Sequence, residues 1–139
     1  MTIDQLRQLC CEAAADLAGR EERPWPVTVV LPGPEATRVV ALDGFPGDDR
    51  ARHTALSVFA AEHMVPHDVP CFGFIAEATS AEGTDLLTVV YGARRQRPMI
   101  TAAPVTGEGL GDFVEPEPLD PAALPFLQPL QHAADLAAG

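Results

Sequence analysis

A chain of 139 residues is sized for one domain, and 47% hydrophobic with 21% charged residues fits neither an intrinsically disordered chain nor a membrane-embedded one. Nine basic residues, all arginine, against 20 acidic ones leave a formal charge of −11. That field repels phosphate backbones and anionic lipid, so nucleic acid and membrane surfaces are excluded as first partners. The absence of lysine and asparagine removes Walker-type phosphate binding, Schiff-base chemistry and a Cys/His/Asn triad.

Thr2 and Gln5 have the spacing of a capping box, and Ile3, Leu6, Cys10, Ala13 and Leu17 recur at helical intervals. An amphipathic helix up to Gly19 follows. Arg23-Pro24-Trp25-Pro26 breaks it, because proline restricts both itself and its predecessor. Val27 to Leu31 reads as a strand covered on both faces or lying centrally in a sheet, Pro32-Gly33-Pro34 as a turn, and Thr37 to Leu42 as the returning strand. Asp48 or Asp49 caps a second helix running to about Met64, with Leu56, Phe59, Ala60, His63 and Met64 as its apolar stripe and Pro66 as its stop. Cys71 to Ala78, Leu86 to Ala93 and Met99 to Pro104 are three further strands, close enough in sequence to pair as an antiparallel meander.

From Thr106 onwards the character changes. Gly107-Glu108-Gly109-Leu110-Gly111 fits a loop rather than a dinucleotide fingerprint, and prolines at 116, 118, 121, 125 and 129 favour extended segments. Leu119, Leu124, Phe126 and Leu127 need burial, so residues 106–129 are expected to form an extended, proline-rich strap. Leu130 to Ala138 then closes the chain as a short helix. The expected fold is a single α+β domain spanning residues 1–139, a mostly antiparallel five-stranded sheet with helices packed on it in the order α-β-β-α-β-β-β-α. In topology this order resembles the roadblock and longin-like, profilin-related modules, which carry helices on the faces of an antiparallel five-stranded sheet.

Cys10, Cys11 and Cys71 form no C-x-x-C pair and cannot all pair within one chain, as expected of a reduced protein. Asp4, Arg7 and Glu12 interrupt the apolar run that an export signal needs, so the expected location is cytoplasmic. His63, His67 and Cys71 are zinc-competent residue types, but Pro66 breaks the helix that would align the two histidines. No metal and no cofactor is therefore expected. Pairing the strands around a loop near Glu82 sets Cys71 opposite Ala93, which brings the Arg94, Arg95 and Arg97 turn to the same sheet end as His67. Arginines there could hold an anion or a partner and lower a cysteine pKa; equally, they keep a hairpin tip soluble in an acidic chain. Glu77, on the strand face of Cys71 and Ile75, lacks a second acid or base at catalytic spacing.

The function expected from these features is a non-enzymatic protein-interaction or regulatory module, partnered by another protein or by itself. The alternative is a small enzyme or ligand-sensing domain built on Arg94, Arg95 and Arg97 with His67 and Cys71.

Overall fold

The computed structural model describes residues 1–20 and 23–137. Helix α1 spans Ile3–Ala18, and its capping box forms as the spacing requires: Gln5 N donates to Thr2 Oγ1 (3.1 Å) and Thr2 N to Gln5 Oε1 (2.8 Å). Helix α2 spans Asp49–His63, capped by Asp48, whose carboxylate accepts from Ala51 N at 2.9 Å. Pro66 ends it through a 3-10 turn at Val65–His67, after which Asp68 takes a left-handed conformation. A second 3-10 turn at Pro125–Leu127 leads into α3, Gln128–Leu136. The closing helix thus starts earlier than its apolar run suggested, with Pro129 in its first turn where the missing N–H costs nothing. Ala138 lies outside the described residues.

The sheet is curled and antiparallel. Its strands are β1 (Val27–Leu31), β2 (Arg38–Leu42), β3 (Cys71–Thr79), β4 (Asp85–Ala93), β5 (Met99–Thr106), β6 (Gly109–Leu110) and β7 (Glu117–Pro118), in the order β2-β1-β3-β4-β5-β6, with β7 also paired to β5. Cys71 sits opposite Ala93. Seven strands stand where five were expected, because both extra pieces come from the proline-rich stretch. The glycine segment folds back as a tight hairpin with Thr106 opposite Gly109, and Gly109 adopts a positive φ of 122° that favours glycine. Further on, β7 runs beside Met99 and Ile100, flanked by bonds from Val114 N to Ala102 O (2.9 Å) and from Leu119 N to Pro98 O (2.8 Å). Prolines at 116 and 118 have no N–H to donate, so the pairing is broken into short pieces.

Side chains alternate across the sheet and build two cores. On one face Val29, Leu31, Phe72, Phe74 and Val90 pack under α2, α3 and the Pro125–Leu127 turn. On the other, Val30, Ile75, Leu87, Val89 and Tyr91 pack under α1. The C-terminal segment serves both: Leu110 and Phe113 lie against the α1 side, while Leu119, Phe126 and Leu127 are buried on the α2 side. It wraps the β5 edge on its way. α1 lies close over Gly73, where a Cβ would overlap Cys10 Sγ and crowd Val30. Gly73→Ala is therefore expected to destabilise by roughly 1–3 kcal/mol, the usual cost of overpacking, as measured by urea denaturation. An unchanged midpoint would mean that α1 shifts freely.

Candidate functional site

The sequence-predicted residues share one end of the sheet but serve different spaces. Arg94 N donates to Pro70 O at 2.8 Å, and its Nη1 reaches Ala137 O at 2.9 Å, where a cation suits the end of α3. Arg95, with a positive φ of 59°, donates its backbone N–H to Asp135 Oδ1 at 2.7 Å. Arg97 Nε donates to Leu119 O at 3.3 Å. His67 faces a separate cleft beside the Pro32–Gly33–Pro34 turn, together with Asp68 and Arg38. Cys71 is 8% exposed and packs toward α1.

That burial decides the thiol chemistry. Cys71 is pushed above the ordinary cysteine range by desolvation, against a downward pull from the N-terminal amine rather than from any arginine of the turn. Cys10 is pushed up to about 12 by burial, and Cys11 and Cys71 nearby add to the shift. Cys11 also rises by burial although Arg7 pulls it down. Thiols held protonated are poor nucleophiles, and Cys10 and Cys71 pack in the core beneath α1.

The remaining candidates are accounted for by packing and pairing. His63 stacks on Phe59, with ring centroids 4.7 Å apart. Glu77 accepts from Arg23 Nε at 2.9 Å and Nη2 at 2.8 Å, while the same guanidinium lies 4.6 Å above the Trp25 ring. Among the described residues, no group of three or more His, Cys, Asp or Glu side chains is arranged to hold a metal ion.

Two features reach beyond the residues singled out above. The first is the outer edge of β2. The β5 edge is covered by β6, β7 and their flanking bonds, whereas among the described residues no strand pairs with the outer edge of β2. Proteins commonly guard such an edge with charge or proline. The guard here is turned inward, since Arg38 Nη2 donates to His63 O at 2.6 Å. The middle of the edge is Val39-Val40-Ala41, with Val39 56% exposed.

The second is a cleft of about 310 Å³ between α1 and the segment at Glu115 and Pro116, with Tyr91 and Met99 as its floor and Arg7 and Arg97 on its walls. Asp4 and Glu115 line it as well. Tyr91 rises above its ordinary pKa, chiefly by burial, with Arg7 pulling it back and Cys11, Asp4 and Cys10 raising it further. Its phenol thus remains a neutral donor at physiological pH. Residues from α1, β4, β5 and the C-terminal segment meet there, so no local spacing announces the site.

No family model, no curated protein and no solved structure matches this chain. The resemblance to roadblock and longin-like modules accordingly rests on element order alone.

Proposed function

We propose that the chain is a non-enzymatic cytoplasmic interaction module that pairs the outer edge of β2 with a strand of a second protein chain, in the first instance another copy of itself. In this reading residues 1–139 act as one domain, with residues 106–129 as a strap that covers the opposite edge. The observation that carries it is the asymmetry of the sheet: one edge is covered by the chain's own C-terminal segment, and the other presents Val39, Val40 and Ala41 with no charge between them. A free edge offers a row of backbone donors and acceptors, and a strand that adds to it gains both those bonds and cover for its side chains.

β2 is complementary to its own reverse. A two-fold antiparallel pairing centred on Val40 sets Val39 of one copy opposite Ala41 of the other, covering both exposed side chains. Buried thiols and side chains that serve as helix and hairpin ties support a binding role over a catalytic one.

Sedimentation velocity on the full chain over a concentration series tests this. Wild-type protein is expected to shift from monomer toward dimer as concentration rises, and more readily in higher salt, since two copies of charge −11 repel one another until screened. Val39→Lys, which restores a charge to the edge, is expected to remain monomeric with an unchanged melting temperature. Self-association that survives Val39→Lys, or a wild-type protein that stays monomeric throughout, would contradict self-pairing.

A further inference from the structure

The cleft under α1 is independent of the β2 edge, because β4 and β5 lie at the other end of the strand order. Four charged side chains line it, yet among the described residues none of its arginines forms an ion pair with its carboxylates. Elsewhere the chain does pair its arginines, Arg23 with Glu77 and Asp85, and Arg52 with Asp49. Arg97 is held by its Nε on Leu119 O, which fixes the guanidinium while leaving its two terminal nitrogens free to donate. Arg7 stands across from it on α1. The Tyr91 ring is buried, and it lines the cleft.

Donors from α1, β4 and the β4–β5 turn, meeting on one concave space with an apolar floor, have the composition of a small-molecule site. We propose that this cleft binds a small organic monocarboxylate, with the carboxylate between Arg7 and Arg97, the Tyr91 hydroxyl as a further donor, and the apolar body of the ligand along Met99, Ile3 and Pro116. A guanidinium fork matches the two oxygens of a carboxylate, and charge-assisted hydrogen bonds of this kind are roughly twice as strong as neutral ones. Asp4 and Glu115 on the same walls set the class of ligand: they oppose a phosphate dianion more than a single negative charge, and the net charge of −11 acts in the same direction. The apolar floor favours a carboxylate that carries an alkyl or aryl body over acetate or formate.

The test is a calorimetric and NMR titration of the full chain with sodium hexanoate, with 1-hexanol and inorganic phosphate as comparison probes. Saturable binding of hexanoate is expected, with hexanol and phosphate at least about tenfold weaker, the loss that follows from removing or mismatching one charge-assisted contact. Arg97→Gln and Arg7→Gln are each expected to weaken hexanoate about tenfold or more. Tyr91→Phe, which keeps the ring that fills the core, is expected to weaken it by a smaller factor and leave the melting temperature unchanged. Arg94→Gln, directed at the end of α3, is the control that should bind hexanoate as the wild type does. Hexanol binding as well as hexanoate, phosphate binding more tightly, or affinity unaltered in folded Arg7→Gln and Tyr91→Phe proteins would each overturn the assignment. So would the absence of any saturable hexanoate signal up to about 20 mM, a concentration well above the ~1 mM dissociation constant of a weak specific site.

Discussion

Ending the chain at Thr106 is expected to leave no cooperatively folded monomer. The segment removed supplies Leu119, Phe126, Leu127 and Leu130 to the core between the sheet and α2, along with Ala133 and Ala134 of α3. At roughly 1.5–3 kcal/mol for each large apolar side chain buried, those four alone approach the ~5–15 kcal/mol by which a domain of this size is stable. The truncation also uncovers Phe72, Phe74 and Val90 from above and strips the β5 edge of β7 and its flanking bonds. A second sheet edge is then open, and aggregation is the expected consequence. Circular dichroism on heating should show a broad, non-cooperative transition, and light scattering should show large species. A truncated monomer melting at the wild-type temperature would mean that the C-terminal segment contributes nothing to the core it touches.

Trp25→Ala is expected to cost about 3 kcal/mol or more, within the usual range for a buried aromatic. Trp25 is 7% exposed and packs in the core beneath α1. Its Nε1 donates to Arg20 O at 3.4 Å, a contact that joins the end of α1 to the start of β1. Its ring is also the platform on which the Arg23 guanidinium lies while pairing with Glu77, so the substitution loosens that ion pair too. Trp25 is the sole tryptophan, so stability should be followed by far-UV circular dichroism in urea rather than by fluorescence. Trp25→Phe keeps most of the buried area and should lose much less. A loss below about 1 kcal/mol for the alanine variant would place the indole at the surface and make it a contact residue.

What the sequence could convey follows from the range of the interactions involved. Thr2 and Gln5 settle the start of α1 between themselves, and Pro66 stops α2 by its own ring, so both boundaries were readable. Cys71 opposite Ala93 follows from counting out of the β3–β4 loop. The prolines at 116 and 118 gave a true warning against a regular strand, but the N–H groups of Val114 and Leu119 remained free to bond β5, and that pairing depends on a chain reversal some distance away. Strand order is only partly local, for a related reason. The unbroken apolar run of Val27 to Leu31 fits the inner place that β1 takes beside β3, but which edge of the sheet the C-terminal segment covers depends on contacts far apart in sequence.

The site residues illustrate the same limit. Arg94, Arg95 and Arg97 form a cluster in sequence, yet in the fold they reach three partners: Ala137, Asp135 and Leu119. Of the three, Arg97 alone lines the cleft under α1, where it meets Arg7 and Tyr91, residues ordinary in their own segments. The register of Cys71 is local, but the depth of its burial under α1, and with it the raised thiol pKa, belongs to the tertiary packing.

The central claim is that β2 is an interface, and amide hydrogen exchange read residue by residue at low and high protein concentration tests it most directly. The account predicts that the outward-pointing amides of Arg38–Leu42, those not bonded to β1, gain protection as concentration rises, while those of β3 and β4, already inside the sheet, keep the same rates. Exchange from β2 that is fast and independent of concentration, up to the highest concentration at which the protein stays in solution, would contradict it.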